Sequence, residues 1–159
     1  MSYQAVILTV SDFCAAGTRT DTSGPAIRAM LENAGFAVQA MQTVPDEEGQ
    51  ISAAIVHACD ILQADLIVTT GGTGLSARDV TPEATLAVLD REIRAIPVAM
   101  WVEGLKSTPR AMLSRAVAGI RGHTLVLNVP GSEKAARENL GAVVATLDHA
   151  LRMLAGGGH

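Results

Sequence analysis

AVILTV (5–10), FAVQAMQTV (36–44) and DLIVTT (65–70) are apolar runs of strand length, rich in β-branched residues. Between them the period changes. Ile27, Met30, Leu31 and Ala34 repeat at helical spacing, entered through Ser23 and Pro25 and left through Gly35. Ile51, Ala54, Ile55 and Ala58 repeat in the same way behind Asp46, Glu47 and Glu48. The order is therefore βαβαβ, and helices in both gaps require parallel strands with right-handed crossovers.

Further along, Thr81-Pro82-Glu83 signals another helix, with Thr81 as cap, proline in the first turn and an acid at the positive end of the dipole. It should run to about Leu89. Pro97 and Pro109 interrupt 93–113, leaving a helix near 98–105. The runs 116–120 and 124–129 flank Arg121-Gly122-His123, a turn too short for anything but antiparallel strands. Leu140, Val143, Val144, Leu147, Leu151 and Leu154 place one apolar face on a last helix, capped by Ser132 or its neighbour. We expect an α/β fold: a mostly parallel sheet with one antiparallel edge strand, in a single domain over 1–155, with 156–159 as a flexible tail.

Composition narrows the classes of function. The chain has 159 residues, enough for one domain with a core of its own, and its 48% hydrophobic and 18% charged content argues against disorder. A net charge of −4 gives no footprint for nucleic acid or an anionic membrane surface, so phosphate binding would have to be local. Two cysteines, Cys14 and Cys59, lack any metal-ligand spacing and point to a reducing compartment. Without a basic n-region or a run of 18 apolar residues, neither a signal peptide nor a spanning helix is expected, and we expect a cytoplasmic protein.

In parallel α/β sheets ligands bind beyond the carboxyl ends of the strands, so the loops that follow strands matter most. TTGGTGLSARDVTPEAT (69–85) is the densest of them. Gly71, Gly72 and Gly74 allow a tight backbone whose amides can approach a phosphate, and Thr73 adds a hydroxyl. Neither the Walker lysine nor the dinucleotide glycine spacing is present. Asp12, Asp21, Asp46 and Asp79 all fall in such loops, where carboxylates can meet around a hard cation. Asp46 has an alternative as a helix cap and Asp21 as a turn residue. Asp79 has no evident capping duty and is the stronger candidate ligand. The four histidines fit no catalytic triad.

These segments together resemble the molybdopterin adenylyltransferase family. The matching stretches are SDFCAAGTRTDTSGP (11–25), VPDE (44–47), TTGGTGLSARDVTPEAT (69–85), LKSTPRAMLSRAVAGIRG (105–122) and LNVPGS (127–132), in the family's order. The resemblance implies a three-layer sandwich, commonly trimeric. It implies an enzyme that uses ATP and Mg2+ to adenylylate the phosphate of molybdopterin, then passes the product to a molybdenum-inserting partner protein. It makes Asp46 and Asp79 the catalytic, metal-holding acids. It places Ser11, Asp12, Gly71, Gly72, Thr73, Gly74, Pro130, Gly131 and Ser132 around nucleotide and phosphate, with Ser114 on the pterin side. Ser132-Glu133 departs from the family's usual proline after Pro130-Gly131. The alternative in another class is a non-catalytic molybdopterin-binding scaffold of the same fold.

Overall fold

The computed structural model describes residues 2–157. Six strands form one sheet: β1 (Gln4–Val10), β2 (Ala37–Val44), β3 (Leu66–Thr70), β4 (Arg91–Glu92), β5 (Ala118–Arg121) and β6 (Thr124–Val129), in the order β2-β1-β3-β6-β5-β4. β2, β1, β3 and β6 are mutually parallel, with Thr9 opposite Thr70 and Thr70 opposite Val129. β5 runs antiparallel to β6 across a tight turn in which Gly122 takes a φ of +59°. The short pair of residues in β4 adds to the outside of β5, so the antiparallel margin holds two strands where the sequence pattern shows one.

Helices cover both faces, giving the three-layer sandwich. Alternation along β1 sends Ala5 and Ile7 to one core and Val6, Leu8 and Val10 to the other. The first core is closed by α2 (Ser23–Asn33), α5 (Ala95–Leu105) and α6 (Glu133–Leu154), through Ile27, Leu31, Met100, Leu140 and Leu147. The second is closed by α3 (Glu48–Val56) and α4 (Thr81–Leu86), through Ile51, Ile55 and Ala84. A single turn, α1 (Asp12–Ala15), follows β1. With so few aromatic residues, the core is assembled almost wholly from aliphatic side chains, of which each Val, Leu or Ile is worth about 1.5–3 kcal/mol when fully buried.

Several local expectations change. Thr81 is the first residue of α4, not its cap; Val80 holds the cap position, and the Thr81 hydroxyl is buried without a partner among the described residues. α4 ends at Leu86, three residues short of the expectation, where the chain turns out towards β4. Pro97 does not break a helix but lies in the first turn of α5, where its missing N–H costs nothing, so α5 begins earlier than its periodicity suggests. Pro109 opens a 3-10 turn, Pro109–Leu113. Ser132 is the α6 cap, its Oγ accepting from the Ala135 N–H. Gly156 and Gly157 donate back to Met153 and Arg152 and finish that helix, while the rest of the expected tail, Gly158 and His159, lies outside the described residues. No helix among the described residues is long and apolar enough to cross a membrane.

Candidate active site

Because β2 and β3 lie on opposite sides of β1, the loops after β1 and β3 leave in different directions and open a crevice at the carboxyl end of the sheet. The glycine loop after β3 fills its floor. Gly71 has a φ of +102°, and a Cβ there would collide with the Val10 carbonyl. Gly72 has a φ of +68°, and a Cβ would collide with the Thr81 hydroxyl and stand 3.1 Å from Asp46 Oδ1. These two positions require glycine on both conformational and steric grounds. The Pro130-Gly131-Ser132 loop closes against them. Thr70 Oγ1 donates to the Pro130 carbonyl (2.7 Å) and Ser23 Oγ to the Gly131 carbonyl (2.6 Å).

The acids divide by role. Asp12 and Asp46 bind each other's backbone: the Asp12 N–H donates to Asp46 Oδ2 and the Asp46 N–H to Asp12 Oδ1, both at 2.9 Å. This locks the loops after β1 and β2 together, and Glu47, not Asp46, occupies the α3 cap position. Asp21 is structural, accepting from Thr9 Oγ1 (2.8 Å) and the Gly24 N–H (3.0 Å) at the start of α2. Asp79 does have a local duty, since its Oδ2 accepts from the Ser76 N–H (3.0 Å) inside the glycine loop. Ser11 caps α1 through Cys14 N–H. Ser114 lies after the 3-10 turn, its Oγ accepting from the Ala116 N–H.

Two basic residues that motif reading passed over organise these acids. Arg78 donates to both oxygens of Asp12 (3.0 and 2.9 Å) and to Glu47 (2.9 Å), joining all three loops. Arg115 binds the glycine loop itself. The electrostatics follow. Arg78 beside it holds the Asp12 carboxyl below the usual carboxylate range. Burial pushes the Asp46 carboxyl above it; the Asp12 N–H opposes this, and the negative charges of Asp12 and Asp79 add to it. A partly buried carboxylate with two acidic neighbours is a place that favours a cation.

Two cavities open from the crevice. One, of about 610 Å³, runs past Ser107, Arg110, Ser114 and Lys134 to the start of α6. The other, of about 560 Å³, runs past Ser11, Asp12, Arg19, Asp46 and Arg78. Gly72, Asp79, Gly131 and Ser132 line both. Every expected site residue therefore borders one cavity or the other. The class so defined is a three-layer α/β domain with a two-chambered site at its switch point.

The comparisons with known proteins name the family. Residues 6–149 match the family described as "Probable molybdopterin binding domain", and the chain belongs to it. Gephyrin of Dictyostelium discoideum is 42% identical over 93% of this chain, which spans 22% of that protein's length. Molybdopterin adenylyltransferase of Helicobacter pylori is 37% identical over 94% of this chain and 86% of its own. The crystal structure of the molybdopterin biosynthesis enzyme MoaB from Thermus thermophilus superposes with a TM-score of 0.92 at 49% identity, over 97% of both chains.

Proposed function

We propose that this protein is a molybdopterin adenylyltransferase: it transfers AMP from ATP to the phosphate of molybdopterin and releases pyrophosphate in molybdenum cofactor biosynthesis. The observation that carries the reading is the pair of cavities sharing Gly72, Asp79, Gly131 and Ser132, since two substrates placed in them would meet at that wall. Adenylyltransferase relatives of comparable length support it. We assign ATP to the acid-lined cavity. Molybdopterin goes to the cavity with Ser114, where Arg110 and Lys134 offer charge to its phosphate and Ala111 and Leu113 offer apolar wall.

In this reading a molybdopterin phosphate oxygen attacks the α-phosphorus of ATP, the new P–O bond forms, and the bond to the β-phosphate oxygen breaks with pyrophosphate leaving. The chain's part is to hold two polyanions in line and to offset their repulsion. The backbone at Gly72 and Thr73 approaches phosphate closely because side chains are absent or small there. Ser132 stands at the positive end of α6, a helix of 22 residues aimed at the shared wall. Arg78, paired with Asp12 and Glu47 in the acid-lined cavity, suits the departing pyrophosphate.

Asp46 and Asp79 fit Mg2+. The described residues hold no cluster of three or more His, Cys, Asp or Glu that could cage a metal alone, but Mg2+ is commonly held by one or two carboxylates with substrate phosphates completing its shell. Among the described residues Asp46 Oδ1 makes no hydrogen bond, and it faces Gly72 at the cavity wall. When bound, the ion would neutralise phosphate charge and polarise the α-phosphoryl group.

With this reading go a homotrimer and delivery of the product to a molybdenum-inserting partner. Val98, Val102 and Leu105 on α5 are exposed apolar residues available to subunit contact, and light scattering reads the assembly directly. The test of the activity is incubation with molybdopterin, ATP and Mg2+, followed by mass spectrometry. Appearance of the adenylate with equimolar pyrophosphate is expected. Binding of molybdopterin with no adenylate would leave a scaffold.

A further inference from the structure

Arg115 lies between the 3-10 turn and β5, and three of its four donor nitrogens converge on one loop. Its backbone N–H donates to the Thr73 carbonyl (2.8 Å). Its Nε donates to the Gly74 carbonyl (2.8 Å) and its Nη2 to the Asp79 carbonyl (2.7 Å). Its Nη1 meets both carboxylate oxygens of Glu83, in the first turn of α4, at 2.8 and 2.9 Å. One planar guanidinium thus grips both ends of segment 74–79 and is itself aimed by Glu83. Lysine, a point donor without the fork, could not reproduce this.

Apart from Arg78, whose side chain ties it to Asp12 and Glu47, the segment it grips is held among the described residues by its own hydrogen bonds. The Asp79 N–H donates to the Ser76 carbonyl and the Ser76 N–H to Asp79 Oδ2, both at 3.0 Å. A Cβ at Gly74 would stand 2.9 Å from Asp79 Oδ2, so the carboxylate lies folded against the loop's own backbone. No ion pair fixes Asp79 among the described residues. Ion pairs as exposed as Arg115–Glu83 contribute little to stability, so the consequence of this arrangement is geometric.

We propose that Arg115 is a positioning residue of the site: by clamping the carbonyls of Gly74 and Asp79 it sets where the Asp79 carboxylate stands across the crevice from Asp46. Arg115 touches no substrate in this role. The inference rests on the reading of Asp46 and Asp79 as the metal pair, and it adds that the pair's spacing is set from behind by a cation. Groups that orient metal ligands typically change metal affinity by about 10–100-fold when altered.

The experiment compares the parent with Arg115→Lys and Asp79→Asn by two measurements. Hydrogen exchange reads the clamp. In Arg115→Lys the amides of Ser76 and Asp79 should exchange at least about tenfold faster while those of β3 and β6 keep parental rates. Titration of Mn2+ in the presence of ATP, followed by electron paramagnetic resonance, reads the site. Both variants should bind Mn2+ at least about tenfold more weakly than the parent. If Arg115→Lys fails to fold, Glu83→Gln carries the test, with the same localised exchange and a smaller loss of affinity. Parental exchange at Ser76 and Asp79, or parental Mn2+ affinity in a variant whose loop has loosened while Asp79→Asn has lost affinity, would overturn the positioning role. Parental Mn2+ affinity in Asp79→Asn instead overturns the metal pair, and the clamp then holds a loop and no ligand.

Discussion

Replacing Asp46 by asparagine removes one charge and little else, because the amide retains an oxygen able to accept from the Asp12 N–H. Two effects on stability oppose each other. Exchanging a charge-assisted hydrogen bond for a neutral one costs on the order of 1 kcal/mol. Against this, burial and the charges of Asp12 and Asp79 raise the Asp46 carboxyl above its unfolded value. The sign is then fixed. A group with a raised folded pKa contributes stability only in its protonated form, present below the unfolded pKa and lost as pH rises through the folded one. At neutral pH the ionised Asp46 therefore weighs against the fold, and asparagine relieves that. Melting temperature should stay within about 4 °C of the parent. Activity should not. If the carboxylate holds Mg2+ against ATP, single-turnover adenylate formation should slow by at least about a hundredfold, roughly 2.7 kcal/mol at the transition state. Molybdopterin should still bind, because its proposed cavity lies on the other side of the shared wall. A stable Asp46→Asn protein forming adenylate at the parental rate would refute the catalytic assignment and leave the residue as a brace between two loops.

Gly72→Val should abolish ATP binding with the far-ultraviolet dichroism of the sheet intact, since its side chain would drive into Thr81 and Asp46; parental ATP affinity in calorimetry would remove the loop from the site. Asn128 is fully buried, its Oδ1 accepting from the Val117 N–H and its Nδ2 donating to Thr69 and Thr85. Asn128→Ala strands those partners and should cost about 3 kcal/mol, a fall of roughly 6–12 °C in melting temperature, with an unchanged melt as the contrary result. Burial raises the Cys59 thiol to about 11, whereas Cys14 is half-exposed, so iodoacetamide at pH 8 should label Cys14 and spare Cys59 until the protein unfolds. Peptide mapping checks the order.

The fold was legible where periodicity and burial agree. β1 and β3 are buried on both faces and read as continuous apolar runs, and α6 carries a clean stripe from Leu140 to Leu151. Legibility fails where a side chain's role depends on what packs against it. Thr81 has the chemistry of a cap, but it lies inside the helix with Gly72 packed against its buried hydroxyl. Arg91 and Glu92 carry no strand signal; they pair because β5 presents a free edge and the chain leaving α4 passes it.

The site divides in the same way, and the division explains why its acids could be found and its bases could not. A carboxylate in a post-strand loop is a candidate wherever the sheet topology is known, because all such loops open on one end of the sheet. Asp12, Asp46 and Asp79 needed only that argument to be brought together. A guanidinium that braces them acts on carbonyls and carboxylates belonging to other loops, and its partners lie 31 to 66 residues away for Arg78 and 32 to 41 for Arg115. No local spacing encodes that pairing. Its one trace in sequence is that Arg78 precedes Asp79 and Arg115 follows Ser114, each basic residue beside a residue of the site. A crevice that gathers carboxylates needs counter-charge, and Arg78 supplies it to Asp12 and Glu47. Asp46 and Asp79 are left without such a partner among the described residues, which is the condition under which a divalent ion would bind there most favourably.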